Sequence, residues 1–156
     1  MLRKETFLTT QGLKQLQEEM DNLKGAGRTE VAERIRKASE NGGNVDNAEY
    51  DEAKSHQAFV EGRIRELESI IPNAVVVAHN KKGGIVDIGS SITVQNASGR
   101  KQIYKLVGVA EASPLEGKIS NESPVGQALL GHKVGDEVEF ETPAKKLVKF
   151  TITRIR

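Results

Sequence analysis

The sequence predicts an α+β protein, with an N-terminal antiparallel coiled-coil hairpin followed by a small antiparallel sheet and one helix. Three observations lead to this prediction. Residues 1–76 contain a heptad repeat, residues 41–46 concentrate turn-forming asparagine and glycine, and after Pro72 the apolar spacing changes from helical to strand-like. We therefore place the hairpin at residues 1–76 with its tip at 41–46, a linker at 77–84 and the sheet domain at 85–156.

The second predicted helix carries the clearest repeat in the chain. Its seam positions follow one another at alternating spacings of three and four, with one polar member, and the pattern stops before Pro72. The seam consists of Tyr50, Ala53, Gln57, Val60, Ile64, Leu67 and Ile71. Since Tyr50 begins this seam, packing is its default role.

The first predicted helix has the same spacing, interrupted by the two glycines of residues 25–27. Each glycine costs roughly 1 kcal/mol in a helix interior. We expect Thr10 to cap the start of this helix, a kink or short break at residues 25–27, and Thr29 to cap the continuation. At the start of the second helix, Asp46 with Glu49 is typical of a capping pair, and Asn47 suits the cap equally well.

After Pro72 the pattern indicates short strands. Ser123 and Pro124 then suit the cap and first residue of a short helix that ends before Gly131. Residues 97–100 join two of the strands as a hairpin. The predicted strands lie at residues 75–77, 90–96, 101–109, 137–141 and 147–154.

Composition and charge exclude several classes of function. The chain has 156 residues and no cysteine, which excludes disulfides and thiolate metal sites. Residues 1–76 hold 11 Lys/Arg against 14 Asp/Glu, and residues 77–156 hold 12 against 8. Neither half has the basic excess of a protein that grips nucleic acid unaided, so a protein partner is favoured. The histidines are scattered and lack ligand spacing, so we expect no metal site of the protein's own. The chain has no apolar run long enough to span a membrane, and we expect a cytoplasmic protein.

Several segments resemble one known family. Residues 40–50 read ENGGNVDNAEY, residues 8–13 read LTTQGL and residues 61–64 read EGRI. Further on, Ser123-Pro124 is followed by ALLG at 128–131 and by VGD at 134–136. These blocks, in this order, resemble the Gre family of bacterial transcription elongation factors.

The resemblance implies an accessory factor of bacterial RNA polymerase that is not itself an enzyme. An FKBP-like C-terminal domain would dock at the rim of the polymerase secondary channel, and the coiled coil would pass down the channel. There the tip would assist the polymerase's own Mg²⁺ in cleaving backtracked RNA, without any cofactor of its own. We expect a monomer that contacts the polymerase and the nascent RNA.

The resemblance also assigns roles to individual residues. Asp46 matches a tip carboxylate, and Glu49 lies beside it. The family motif has aspartate where this chain has Gly43, and glutamate where it has Asp46. Polymerase or RNA contacts are expected at Asn47, Tyr50, Arg34, Lys37 and Lys54, and polymerase docking at Ser123 and Pro124.

Alternatives remain at three points. The basic residues near the tip suit RNA phosphates, but they also suit a solvated face with pairs such as Glu30–Arg34 and Glu33–Lys37. Gly43 and Asp46 leave open a regulator that occupies the channel without promoting cleavage. A prolyl isomerase is a third reading, although Tyr104, Phe140 and Phe150 lie on predicted strands, where aromatic residues ordinarily pack in a core.

Overall fold

The computed structural model describes residues 5–41, 47–78 and 84–156 and divides them into two compact units. The hairpin unit is the described part of Lys14–Asn73, and the sheet unit is the described part of Met1–Leu13 with Ala74–Arg156. The predicted fold class, a helical hairpin and a mainly antiparallel sheet, is confirmed. The predicted domain boundaries at 76 and 85 stay a prediction. They differ from the packing units by assigning the strand at 6–9 and residues 74–76 to the hairpin.

The first arm of the hairpin is helical from end to end. It consists of α1 (Thr10–Asn22), a π-helical turn (Leu23–Gly27) and α2 (Arg28–Asn41). Of the expected kink or short break at residues 25–27, the break is absent, because a wider π-helical turn accommodates both glycines without ending the helix. Thr29 does not act as a cap, since its hydroxyl donates to the Gly25 carbonyl oxygen at 3.2 Å within the helix.

The start of α1 is capped by Thr9 and not by Thr10. The Thr9 hydroxyl accepts a hydrogen bond from the Gly12 amide at 2.9 Å. Glu111 then binds Thr9 twice, accepting from its amide at 2.7 Å and from its hydroxyl at 2.6 Å. A Cβ atom at position 12 would overlap the Glu111 carboxyl group, so this approach requires the glycine.

The second arm, α3 (Ala48–Ile70), packs against α2. The predicted seam is confirmed from Ala53 to Leu67, where its apolar members Ala53, Val60, Ile64 and Leu67 are buried. On the facing arm Val31 is buried against Val60 and Ile64, with Leu23 and Ile35 packed at the side.

Ion pairs join the arms outside this apolar seam. Arg28 donates to both carboxylate oxygens of Glu61, at 2.7 and 2.9 Å, and Arg63 does the same to Glu19. Hydrogen bonding to Glu19 is the main cause that raises the pKa of Arg63. The EGRI segment at 61–64 thus supplies two inter-arm pairs and the buried Ile64.

The sheet unit contains two sheets. Strands β1 (Thr6–Thr9) and β2 (Ala74–Val77) pair in parallel, with Thr6 opposite Ala74. The second sheet has the order β5-β4-β3-β7-β6, in which β5 runs parallel to β4 and the other neighbours are antiparallel. Its strands are β3 (Ser91–Asn96), β4 (Lys101–Val107), β5 (Lys118–Ser120), β6 (Glu137–Glu141) and β7 (Leu147–Ile155).

The core of the sheet unit lies on one side of the five-stranded sheet, where α4 (Pro124–Leu129) packs. Phe140 and Phe150 are buried in this core with ring centres 5.3 Å apart, and Tyr104 packs against it. The three aromatic residues are therefore core residues, as ordinary strand packing predicts.

No helix in the described parts of the chain is both long and apolar enough to span a bilayer.

Candidate functional site at the end of the hairpin

The two arms are tied together next to the tip by Asn47. Its side-chain oxygen accepts from the Tyr50 amide at 3.3 Å, which caps α3, and its Nδ2 donates to the Ala38 carbonyl oxygen at 2.7 Å. Ala38 belongs to the last four residues of α2, whose carbonyls have no partner within the helix. The Asn47 side chain thus binds one free carbonyl at the end of α2 and one free amide at the start of α3. Of the two alternatives for the cap, the structure selects Asn47.

The predicted tip residues Gly43 and Asp46 lie outside the described residues. Their neighbours on both arms are described, so the base of the tip is defined. On either side of this segment, Asn47 and Ala38 are joined by the 2.7 Å hydrogen bond.

A depression of about 190 Å³ lies between the arms beside this point. Arg34 and Lys37 of α2 face Glu49 and Glu52 of α3 across it, while Ala38 and the buried Ala53 line its apolar part. Small alanine side chains on both arms leave room for this space. The structure thus brings Arg34, Lys37 and Glu49 together and adds Glu52.

Glu52 was not singled out from the sequence, although a signal existed. It follows Glu49 by three residues on the same helix, and side chains at that spacing share a helix face. Two carboxylates therefore lie on the groove side of α3. Within the described ranges, no three His, Asp or Glu side chains gather into a group that would hold a metal ion.

The basic residues near the tip differ in how tightly they are paired. Arg36 donates to Glu33 at 2.7 Å and to Glu40 at 2.6 Å, and its hydrogen bond is the main cause that lowers the pKa of Glu33. Lys37 reaches the same Glu33 only at 3.8 Å. Lys37 thus shares Glu33 with the more closely bound Arg36, and its side chain lines the groove.

Arg34 and Lys54 are also only weakly engaged. Arg34 lies 3.9 Å from Glu30, and the Lys54 ammonium group donates to the neutral Gln57 side chain at 2.8 Å. The expected pairs Glu30–Arg34 and Glu33–Lys37 therefore exist, but both are long and exposed. Such pairs contribute about 0–1 kcal/mol and do not prevent binding of another anion.

Tyr50 differs from its default role in packing. Its side chain is 37% exposed at the tip end of α3, whereas the seam residues further along the helix are buried. The seam therefore ends before the tip, and the Tyr50 ring is accessible. Gln57, the polar member of the seam, is half-buried and binds Lys54.

The predicted docking residues Ser123 and Pro124 lie in the sheet unit at the start of α4. The Ser123 hydroxyl accepts from the Gly126 amide at 3.0 Å and donates to the Ser120 carbonyl oxygen at 2.6 Å. A Cβ at Gly126 would overlap that carbonyl oxygen. Ser123 is thus occupied within the fold, while the exposed Pro124 ring is free for contact.

Two family models cover most of the chain. The N-terminal domain model of transcription elongation factors matches residues 6–76, and the model described as "Transcription elongation factor, GreA/GreB, C-term" matches residues 80–156. The chain belongs to the GreA/GreB family of transcription elongation factors. A GreA/GreB member is an accessory elongation factor.

Two GreA relatives agree with the family models. The chain is 47% identical to transcription elongation factor GreA of Thermoanaerobacter pseudethanolicus, with 99% of each chain covered. It is 46% identical to GreA of Acetivibrio thermocellus, covering 98% of this chain and 97% of that protein. Among solved structures, the GreA factor homolog 1 protein of Thermus thermophilus is 30% identical over 98% of this chain and 99% of its own, with a TM-score of 0.44.

Proposed function

We propose that this GreA/GreB family member binds bacterial RNA polymerase with its hairpin in the secondary channel and stimulates cleavage of backtracked RNA. The polymerase supplies the Mg²⁺ ions and the catalytic site. The factor supplies carboxylate oxygen, chiefly from Asp46 and next to it from Glu49. Mg²⁺ prefers oxygen ligands and retains water, so an added carboxylate helps to hold a second ion and to orient the attacking water.

The observation that supports this proposal is that the charged groove lies beside Asn47, whose hydrogen bonds join the two arms. Asn47, the residue after Asp46 in the sequence, is hydrogen-bonded to both arms, and a catalytic group displaced by about 1 Å can cost on the order of 100-fold in rate. Glu49 and Glu52 continue the acidic side from this point, while Arg34 and Lys37 lie opposite. The groove thus presents oxygen ligands and phosphate-binding cations side by side.

The cations have a separate task in this proposal. Lys37, Arg34 and Lys54 are exposed and weakly paired, and they contact phosphates of the nascent RNA. Tyr50, accessible at the same end, packs on the polymerase or on the RNA. Asn47 would act chiefly through the hydrogen bonds that it makes within the hairpin.

Docking of the factor involves the sheet unit. The exposed Pro124 ring, held in place because Ser123 caps α4, offers a rigid contact for the polymerase. The factor acts as a monomer, since the apolar seam is filled by the two arms of one chain. Its place of action is the cytoplasm, with the polymerase.

RNA cleavage in backtracked elongation complexes tests the proposal. The natural protein should shorten the RNA, Asp46→Asn should abolish most of this activity, and Gly43→Asp should increase it. Asp51→Asn is the matched control, because Asp51 is an exposed acid of α3 that does not line the groove.

Binding is measured in the same samples by co-sedimentation with the polymerase. Binding without cleavage by the natural protein, together with cleavage by Gly43→Asp, would show instead a regulator that occupies the channel. Absence of binding by both proteins would refute the proposal as a whole.

A further inference from the structure

The five-stranded sheet has a second face, opposite its core, that the proposed function does not use. Ile92 and Val94 of β3 point into the core. Because side chains alternate along a strand, Ser91 and Thr93 lie on the opposite face. This face is open to solvent at its centre, where Ile103 of β4 is 68% exposed.

Strand pairing brings three cations together around Ile103. Ser91 lies opposite Lys105 on one side and exchanges backbone hydrogen bonds with Arg156 on the other. In the next row, Thr93 lies opposite Ile103 and Arg154. A depression of about 390 Å³ is lined by these same residues. We call this surface the basic face and define it by Lys105, Arg154, Arg156 and Ile103.

The positive charge of the basic face is not neutralised by the described residues around it. Lys105 donates at 3.4 Å to Gln11, which is neutral, and Arg154 and Arg156 form no ion pair with a described carboxylate. The neighbouring Lys118 differs, since Glu116 binds it at 2.7 Å. Cations that lack a carboxylate partner attract an anionic one from outside.

We propose that the basic face is a docking surface for an acidic protein segment that also carries an apolar side chain. The apolar side chain packs on Ile103, and carboxylates on either side pair with Lys105, Arg154 and Arg156. Arginine forms bidentate pairs with carboxylates, which fixes the orientation of the segment as well as its charge. The Ser91 and Thr93 hydroxyls add hydrogen-bonding groups between the cations.

The chemistry of the face favours protein over nucleic acid. Protein interfaces have an apolar centre with a polar rim and are enriched in arginine, which is the arrangement around Ile103. Sheets that bind single-stranded RNA stack its bases on aromatic side chains. The residues that line this depression include no aromatic side chain. This inference does not depend on the proposed role of the hairpin tip.

The test uses the full chain, labelled with ¹⁵N, and a synthetic twelve-residue peptide rich in glutamate with one central leucine. The expected result is that amide shifts concentrate at Ser91, Thr93, Ile103 and Arg154. Replacing the leucine by serine, or the glutamates by glutamine, should weaken binding about tenfold or more, since both contacts are needed. A single-stranded RNA of twelve nucleotides is titrated in parallel.

Charge reversal provides the matched variants. Lys105→Glu with Arg154→Glu should weaken peptide binding by at least about tenfold. Lys145→Glu with Lys146→Glu makes the same change in net charge on the exposed turn between β6 and β7 and should leave binding nearly unchanged. If the first double variant loses its folded spectrum, Lys105→Gln with Arg154→Gln replaces it.

Three results would overturn the proposal. The first is equal weakening by both double variants, which would show general charge attraction and no site. The second is tighter binding of the RNA than of the peptide at the basic face, which would make it a nucleic-acid surface. The third is that the peptide shifts no amide on this face.

Discussion

Two substitutions of Asn47 distinguish the contributions of its two hydrogen bonds, one to each arm of the hairpin. Loss of an N-cap side chain costs about 1 kcal/mol, and loss of one further hydrogen bond costs about 1 kcal/mol. Asn47→Ala removes both the bond from the Tyr50 amide and the bond to the Ala38 carbonyl, so it should destabilise the hairpin by about 2 kcal/mol. Asn47→Asp keeps the cap oxygen and loses the donor to Ala38, while repulsion between its carboxylate and the Ala38 carbonyl oxygen is opposed by the favourable negative charge at the N-terminus of α3. It should therefore cost about half as much.

Native-state amide hydrogen exchange measures this difference within the hairpin itself. At tenfold per 1.4 kcal/mol, Asn47→Ala should speed exchange of the α2 and α3 amides near the tip about 30-fold. Asn47→Asp should speed it only about fivefold. Amides in the core of the five-stranded sheet serve as an internal control and should be unaffected.

The reasoning would be refuted if Asn47→Asp protected these amides as well as the natural residue does, because the bond to Ala38 would then contribute nothing. It would fail equally if Asn47→Ala changed exchange only within α3. In the RNA cleavage assay, a positioning role requires Asn47→Asp to slow cleavage at saturating factor with unchanged binding to the polymerase. A direct contact with the polymerase would instead weaken binding.

The remaining predictions concern stability. Gly12→Ala should lower the melting temperature in the natural background, because its methyl group displaces the Glu111 carboxyl, and should be neutral or stabilising when combined with Glu111→Ala. Arg63→Lys keeps the charge but loses the two-pronged hydrogen bond, and urea unfolding should show a loss of about 0.5–1 kcal/mol. Hydrogen bonding to Arg28 lowers the pKa of Glu61. The stability that the Glu61–Arg28 pair contributes should therefore be complete above the ordinary glutamate pKa of about 4.3. It should disappear as the pH falls through the lower pKa of the folded state. Urea titrations between pH 6 and pH 3 should show that Glu61→Gln removes this part of the acid dependence.

Local patterns in the sequence were sufficient where the structure depends on near neighbours. The alternation of three and four from Ala53 to Leu67 predicts the buried seam, and β-branched runs predict β3, β6 and β7 close to their observed bounds. Ser123 and Pro124 predict the start of α4 because the cap and its amide partner lie three residues apart.

Predictions failed where a partner lies far along the chain. Thr9 and not Thr10 caps α1, because Glu111, 102 residues away, binds the Thr9 amide and hydroxyl. Strands β1 and β5 are short and pair in parallel with their neighbours. Parallel strands are not joined by a hairpin turn, so the sequence has no turn motif that would predict them. The basic face was missed for the same reason, since only the strand order brings Lys105 next to Arg154 and Arg156.

The motifs that carry the family resemblance are mostly occupied in maintaining the fold. Gly12 makes room for Glu111, Glu61 and Arg63 join the arms, and Ser123 caps α4. A chain can therefore keep these residues, and the whole scaffold, whether or not its tip promotes cleavage. Membership of the GreA/GreB family shows that the chain has the family scaffold and is an elongation factor. In the function that we propose, the strength of cleavage depends on Gly43 and Asp46, and neither residue is among those that maintain the scaffold. Comparing the natural protein with Gly43→Asp on one polymerase thus varies the tip chemistry while the fold stays constant.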